Sequence, residues 1–170
     1  IILIYHIKFI LSLFIILINF LYSLLLMNIQ FISLKNLIDK NYKYINIIKK
    51  KYLLLLNQLT QATDISDQLF INNINTIFIS GLIYIAYICN PYDDDFEIIA
   101  SGTIFIEPKI IRGGRSVGHI EDIVVHPKHQ GKGLSTKIVK YLKDYGLENN
   151  CYKIILDCDK NIKKVYEKND

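Results

Sequence analysis

The chain has 170 residues, enough for one domain with a buried core, and it combines 51% apolar residues with a formal net charge of only +4. Its three cysteines form no CxxC pair and its four histidines are scattered, which argues against a disulfide framework and a metal site, and favours a reducing, cytoplasmic compartment. The densest basic run, Lys49-Lys50-Lys51, falls inside a helical pattern and reads as a solvated face, so no nucleic-acid partner is expected.

From Phe9 to Leu34 there is no charged residue, and Ile10 to Leu26 is almost wholly apolar. That length makes a transmembrane-helix candidate and a membrane-associated protein. The alternative is an upstream extension of the reading frame, with the start at Met27, the one methionine, which directly follows the run. The expected division is therefore an apolar segment over 1–27 and a single domain over 28–170.

Ile29 to Leu34 predicts a first strand, and apolar residues at helical spacing predict one helix over Lys35 to Asn57. Asp64 or Ser66 can cap a second helix running through Asn73. Thr76 to Cys89 and Phe96 to Ile106 read as an antiparallel hairpin around the turn-rich segment 90–95. A loop from Glu107 to Val117 carries Lys109, Arg112 and Arg115 around Gly113-Gly114. Gly118 to Val125 is a further strand, Gly133 to Leu147 an amphipathic helix, Tyr152 to Leu156 a strand, and Asp159 to Lys168 a last short helix. The order is mixed α/β in one domain, without repeats or an internal linker.

The segment from Ile120 to Ser135, IEDIVVHPKHQGKGLS, runs a strand through a glycine-bearing turn into a helix. Glycines let backbone approach a ligand closely, and helix N-terminal amides suit a pyrophosphate. By itself, a Gly-x-Gly before a helix reads first as an ordinary tight turn. Glu121 and Asp122 interrupt an apolar strand, where burial without partners would be costly. Alone they are equally an exposed acidic pair, and Lys109 with Arg112 an exposed basic loop.

Gln130-Gly131-Lys132-Gly133-Leu134-Ser135 resembles the acetyl-CoA-binding motif of the GNAT superfamily, Arg/Gln-x-x-Gly-x-Gly/Ala, with Ser135 in place of the usual final Gly or Ala. The strings Gly118 to Ile123 (GHIEDI), Asn150 to Cys158 (NCYKIILDC), Ile106 to Ile111 (IEPKII) and Leu59-Thr60 are similar to eukaryotic glucosamine 6-phosphate N-acetyltransferases. Together they cover most of residues 53 to 168, and the two longer strings are more specific than the glycine motif.

The resemblance implies a GNAT-type, mostly antiparallel central sheet flanked by helices. It further implies direct attack of the glucosamine 6-phosphate amine on acetyl-CoA in a ternary complex, giving N-acetylglucosamine 6-phosphate for UDP-N-acetylglucosamine synthesis. Acetyl-CoA is then a cosubstrate, no metal is needed, and the enzyme is a homodimer. Carried over residue by residue, Ile123, Val124 and Val125 meet the acetyl carbonyl and pantetheine. Gln130, Gly131, Lys132, Gly133, Leu134, Ser135 and Thr136 hold the pyrophosphate, and Tyr166, Glu167 and Lys168 also border CoA. Lys109, Ile110, Ile111 and Arg112 border the sugar phosphate, and Thr60 lies near the sugar. Glu121, Asp122 and Ile123 hold the sugar, while Tyr152 and Lys153 reach its phosphate across the dimer interface. Asp157 sits at the amine, and Tyr166 protonates the leaving thiolate; these two with Glu121 are the catalytic expectation.

Two departures accompany the resemblance. Ile162 stands where the family has an asparagine, with Asn161 one step early. The family also continues past its tyrosine into a final strand that completes the sheet and carries a basic residue near the phosphate. The sequence ends at Asp170 without it, so a sheet lacking that strand, from a truncated gene model or splice product, is the expectation. The competing functional readings are an impaired GNAT module that binds CoA or a partner subunit, and a GNAT acting on a protein amine.

Overall fold

Ser33 closes the first strand, β1 (Ile29–Ser33), and caps the first helix, α1 (Leu34–Lys40). Its hydroxyl accepts from the Asn36 amide at 3.2 Å, satisfying a donor that the start of a helix leaves without an internal partner. The computed structural model describes residues 14–15, 29–89 and 96–158. The single helix expected over 35–57 is divided. Asn41 leaves helical geometry and its side-chain amide donates to the Leu37 carbonyl at 3.0 Å, a local bond that competes with helix continuation. A 3₁₀ turn, Tyr42–Tyr44, then leads into α2 (Ile45–Leu56).

α3 (Asp67–Ser80) is capped by Ser66, whose hydroxyl accepts from the Leu69 amide at 3.1 Å. It was expected to end near Asn73, with a strand from Thr76, yet it continues to Ser80. The stretch Thr76 to Ile79 has strand composition, but Phe70, Ile74 and Ile77 fall on one helical face packed into the core. Burial of that face outweighs local propensity. The strand β2 therefore spans Gly81–Cys89.

β2 pairs antiparallel with β3 (Phe96–Glu107), from Gly81 opposite Phe105 to Cys89 opposite Phe96, as the hairpin reading expected. The turn proposed at 90–95 lies outside the described residues. β4 (Ser116–Val125) continues the antiparallel sheet. The helix α4 (Leu134–Glu148) then crosses over to β5 (Cys151–Leu156), which lies parallel to β4. The order across the five strands is β1-β2-β3-β4-β5, a mixed α/β architecture with a mostly antiparallel sheet.

The sheet is covered on both faces. On one, Leu34, Ile38, Ile48, Tyr52 and Phe70 from α1–α3 meet Ile83, Ile85, Ile98 and Val124. On the other, Leu134, Ile138 and Leu142 of α4 meet Ala86, Ala100, Ile104 and Ile120. The helix expected over 159–168 lies outside the described residues, as does nearly all of the apolar run. Among the described residues no helix is long and apolar enough to cross a membrane.

Candidate active site

The register between β3 and β4 changes at the acidic pair. Ser101 stands opposite Val124 and Thr103 opposite Glu121, so β4 fits Asp122 and Ile123 against the single residue Gly102. This is a β-bulge, and Asp122 takes the left-handed conformation it needs, with φ 53°, which Asp tolerates better than most residues. The extra residue inverts the alternation of side chains. Ile120 and Ile123 both join the α4 core, while Val124 joins the opposite one. Glu121 and Asp122 are consequently exposed in mid-strand, and their charges escape the desolvation cost that an unbulged apolar strand would impose.

β4 and β5 stay paired only from Ser116 opposite Cys151 to Ile120 opposite Leu156. β4 runs on to Val125, whereas β5 ends at Leu156. Past Ile120, the β5-facing side of β4 has no strand partner among the described residues. Asp157 follows Leu156 directly and is exposed, so it stands level with Glu121 where the two strands part.

Beneath this point, the Tyr52 hydroxyl lies 3.3 Å from the Ser101 hydroxyl. Burial, reinforced by the charge of Asp122 and opposed by the Ser101 bond, holds the Tyr52 phenol above its ordinary range. Tyr52 is therefore a neutral hydroxyl at any physiological pH. Neither residue carries a sequence signal beyond ordinary core composition.

At the far end of β4 the chain turns through the Gln130 to Ser135 segment. Gly131 and Gly133 adopt φ 74° and 72°, left-handed values that favour glycine. Gly133 caps α4 and contributes no side-chain acceptor. The first-turn amides of α4, among them those of Leu134, Ser135 and Thr136, thus have no intrahelical acceptor and stand at the positive end of the helix dipole. Gln130 donates from Nε2 to the Val125 carbonyl at 3.4 Å, tying the turn to the end of β4. Lys132 Nζ lies 3.3 Å from His129 Nδ1. This is an anion-accepting turn continuous with the strand edge that opens beyond Ile120.

The cationic residues gather at the opposite end of β4. Lys109 pairs with Glu107, and Glu107 also meets His119 Nε2 at 3.0 Å. Lys109 first, then His119, holds the Glu107 carboxyl below its usual range. Arg112 adopts φ 58° and places its guanidinium 5.9 Å from the centroid of the Tyr152 ring, within cation–π range. Ile110 and Ile111 are exposed, at 99% and 64%. Lys153 is exposed and sits opposite Val117 on β5.

Two groupings result within one chain. Glu121, Asp122, Ile123, Val124, Val125 and Asp157 surround the parting of the strands, joined to the glycine turn. Arg112 and Tyr152 meet where β5 begins, about five strand residues, or roughly 16 Å, from Asp157, and Lys109 is held with Glu107 and His119 on the paired strands β3 and β4. Thr60 is exposed on the loop after α2. That loop is pinned by Asn57, which exchanges hydrogen bonds with the Ala62 backbone, and by Lys49, paired with Asp64 at 3.0 Å and Asp67 at 2.9 Å. Tyr166, Glu167 and Lys168 lie outside the described residues. Sequence reading missed the Glu107–Lys109–His119 network; Glu107 and His119 lie on paired strands, a relation that only the register reveals.

Residues 71–169 match the acetyltransferase (GNAT) family. Over 119 residues the chain is 41% identical to a glucosamine 6-phosphate N-acetyltransferase of Dictyostelium discoideum, a match covering 70% of this chain and 74% of that protein. It is 37% identical over 118 residues to a glucosamine 6-phosphate N-acetyltransferase of Candida albicans, covering 69% and 78% of the two. The crystal structure of glucosamine-6-phosphate N-acetyltransferase from Arabidopsis thaliana matches with a TM-score of 0.67 and 30% identity, over 82% of this chain and 88% of that one.

Proposed function

The chain belongs to the GNAT acetyltransferase family, and from that premise we propose that it transfers the acetyl group of acetyl-CoA to the amine of glucosamine 6-phosphate. The observation that carries this reading is the parting of β4 and β5 after Ile120, flanked by Glu121, Asp122 and Asp157 and continuous with the glycine turn at the start of α4.

In this reading the pyrophosphate of acetyl-CoA rests on the Gln130 to Thr136 turn, with Lys132 adding charge. The pantetheine follows the open edge of Ile123 to Val125, whose backbone amides polarise the thioester carbonyl. Glu121 and Asp122 accept from sugar hydroxyls, which their exposed positions on the bulge allow. Asp157 orients the sugar amine and accepts its proton. The neutral nitrogen attacks the thioester carbon, the C–N bond forms, the nitrogen sheds its excess proton to solvent, and collapse of the tetrahedral intermediate breaks the C–S bond. The departing thiolate takes its proton from the Tyr166 hydroxyl, with Glu167 and Lys168 beside CoA. No enzyme nucleophile is required, because positioning and oxyanion stabilisation supply the rate.

Lys109, Ile110, Ile111 and Arg112 form the phosphate-facing loop, with Thr60 near the sugar. Lys109 would divide its charge between Glu107 and the incoming phosphate. Tyr152 and Lys153 serve the partner subunit's site in a homodimer. The domain boundary that goes with this reading places the transferase within 28–170, preceded by the apolar segment 1–27.

Incubation with acetyl-CoA labelled with ¹³C in the acetyl group, followed by NMR of the sugar product, tests the reaction class. The expected product carries the label as an amide on the sugar nitrogen, with one CoA thiol released per amide. Label found in an ester on a sugar hydroxyl, or on the protein itself, would contradict the reading.

A further inference from the structure

His126 and His129 are separated by a single 3₁₀ turn, Pro127–His129, in which the His129 amide donates to the His126 carbonyl at 2.8 Å. In that geometry side chains three residues apart eclipse one another, so both imidazoles point to the same side. Their ring centroids are 5.9 Å apart. Glu97, near the start of β3, reaches the same place from the strand paired with β4, with Oε1 3.8 Å from His126 Nε2. One donor atom from each of the three residues lies within 4.8 Å of the others. The sequence concealed this set, because Glu97 is distant in the chain and the two histidines alone make no ligand motif.

We propose that Glu97, His126 and His129 form a binding site for a divalent transition-metal ion of the zinc class, beside the glycine turn. Two imidazole nitrogens and one carboxylate oxygen are a donor set that zinc, cobalt and nickel ions accept, with a fourth position left to water. Metal–ligand bonds of about 2.0–2.1 Å place tetrahedral donors about 3.4 Å apart, so the side chains must close by about an ångström. Glu97 is exposed and the two rings only partly buried, which permits that movement.

Two features moderate the affinity. His126 Nδ1 accepts from the Lys128 amide at 3.3 Å, and metal binding through Nε2 moves the ring proton to Nδ1 and gives up that bond. Lys132 Nζ beside His129 Nδ1 also opposes a second positive charge. Gln130 follows His129 directly, so an occupied site fixes the entrance to the turn that the acetyltransferase reading assigns to pyrophosphate. The metal site itself does not depend on that reading.

Titration of the chelator-treated full chain with Co²⁺, followed by its d–d absorption, with Zn²⁺ displacement to confirm the site, provides the test. The expected result is one ion per chain, without a thiolate-to-cobalt charge-transfer band, and an affinity weakened about ten-fold or more in each of His129→Gln and Glu97→Gln. The exposed Glu97→Gln change guards against a folding defect, and circular dichroism should be unaltered in both variants. No binding, a thiolate band indicating Cys89 or Cys158, or binding equally strong in both variants would overturn the proposal.

Discussion

Replacing Tyr166 by Phe is expected to slow the single-turnover rate of acetyl transfer about ten- to a hundred-fold or more, while leaving acetyl-CoA affinity nearly unchanged. A thiolate leaving a tetrahedral intermediate is helped by a positioned hydroxyl donor, and such general-acid assistance typically contributes about 10²–10⁴ in rate. The substitution removes the hydroxyl and keeps the ring. Affinity should hold, because the proposed grip on the pyrophosphate is the Gln130 to Thr136 turn rather than the phenol. A rapid-quench measurement with enzyme in excess isolates the chemical step from product release. An unchanged single-turnover rate would eliminate Tyr166 as the acid, whatever the steady-state kcat.

Gly81→Ala is expected to destabilise the fold by about 3 kcal/mol or more, at the upper end of overpacking effects. The backbone at Gly81 is extended, with φ 176°, so an alanine would meet no conformational penalty there. The cost is steric. A Cβ built at this position falls 1.9 Å from the Ile104 carbonyl oxygen and 2.9 Å from its carbon. Those are backbone atoms of the paired strand, with no flexible side chain to yield, so β2 and β3 must separate where α3 hands over to the sheet. For a domain of this size that loss corresponds to a melting temperature lower by about 6–12 °C. Thermal unfolding followed by circular dichroism measures it, and a variant melting within about 2 °C of the parent would refute the close approach of Gly81 to β3.

The elements legible in the sequence were those whose signal is local. Strands β3, β4 and β5 announce themselves through apolar, β-branched runs bounded by turn residues, and the helix after Gly133 through its amphipathic period. Where tertiary contacts decide, local signals misled. The apolar period crosses Asn41 without interruption, yet one side-chain bond to Leu37 ends α1 there. Thr76 to Ile79 look like strand and are helix, because Phe70, Ile74 and Ile77 need a common face.

The candidate site divides in the same way. Glu121, Asp122 and Asp157 were visible as carboxylates in apolar surroundings with family-like neighbours. The bulge that exposes the first two was not visible, since it depends on the register against Gly102. The pairing of Lys109 with Glu107, the contact of Tyr52 with Ser101 and the convergence of Glu97 with two histidines all join residues from separate elements. Only the folded sheet supplies those relations.

The central claim, phosphorylated amino sugar as the acetyl acceptor, is tested most directly by measuring CoA thiol release against three amines at saturating acetyl-CoA. The acceptors are glucosamine 6-phosphate, glucosamine and a peptide with a free N-terminus and lysine. The cationic Lys109–Arg112 loop predicts a kcat/KM for glucosamine 6-phosphate far above that for glucosamine, with the peptide inert. Equal turnover of the two sugars, or preference for the peptide, would contradict it.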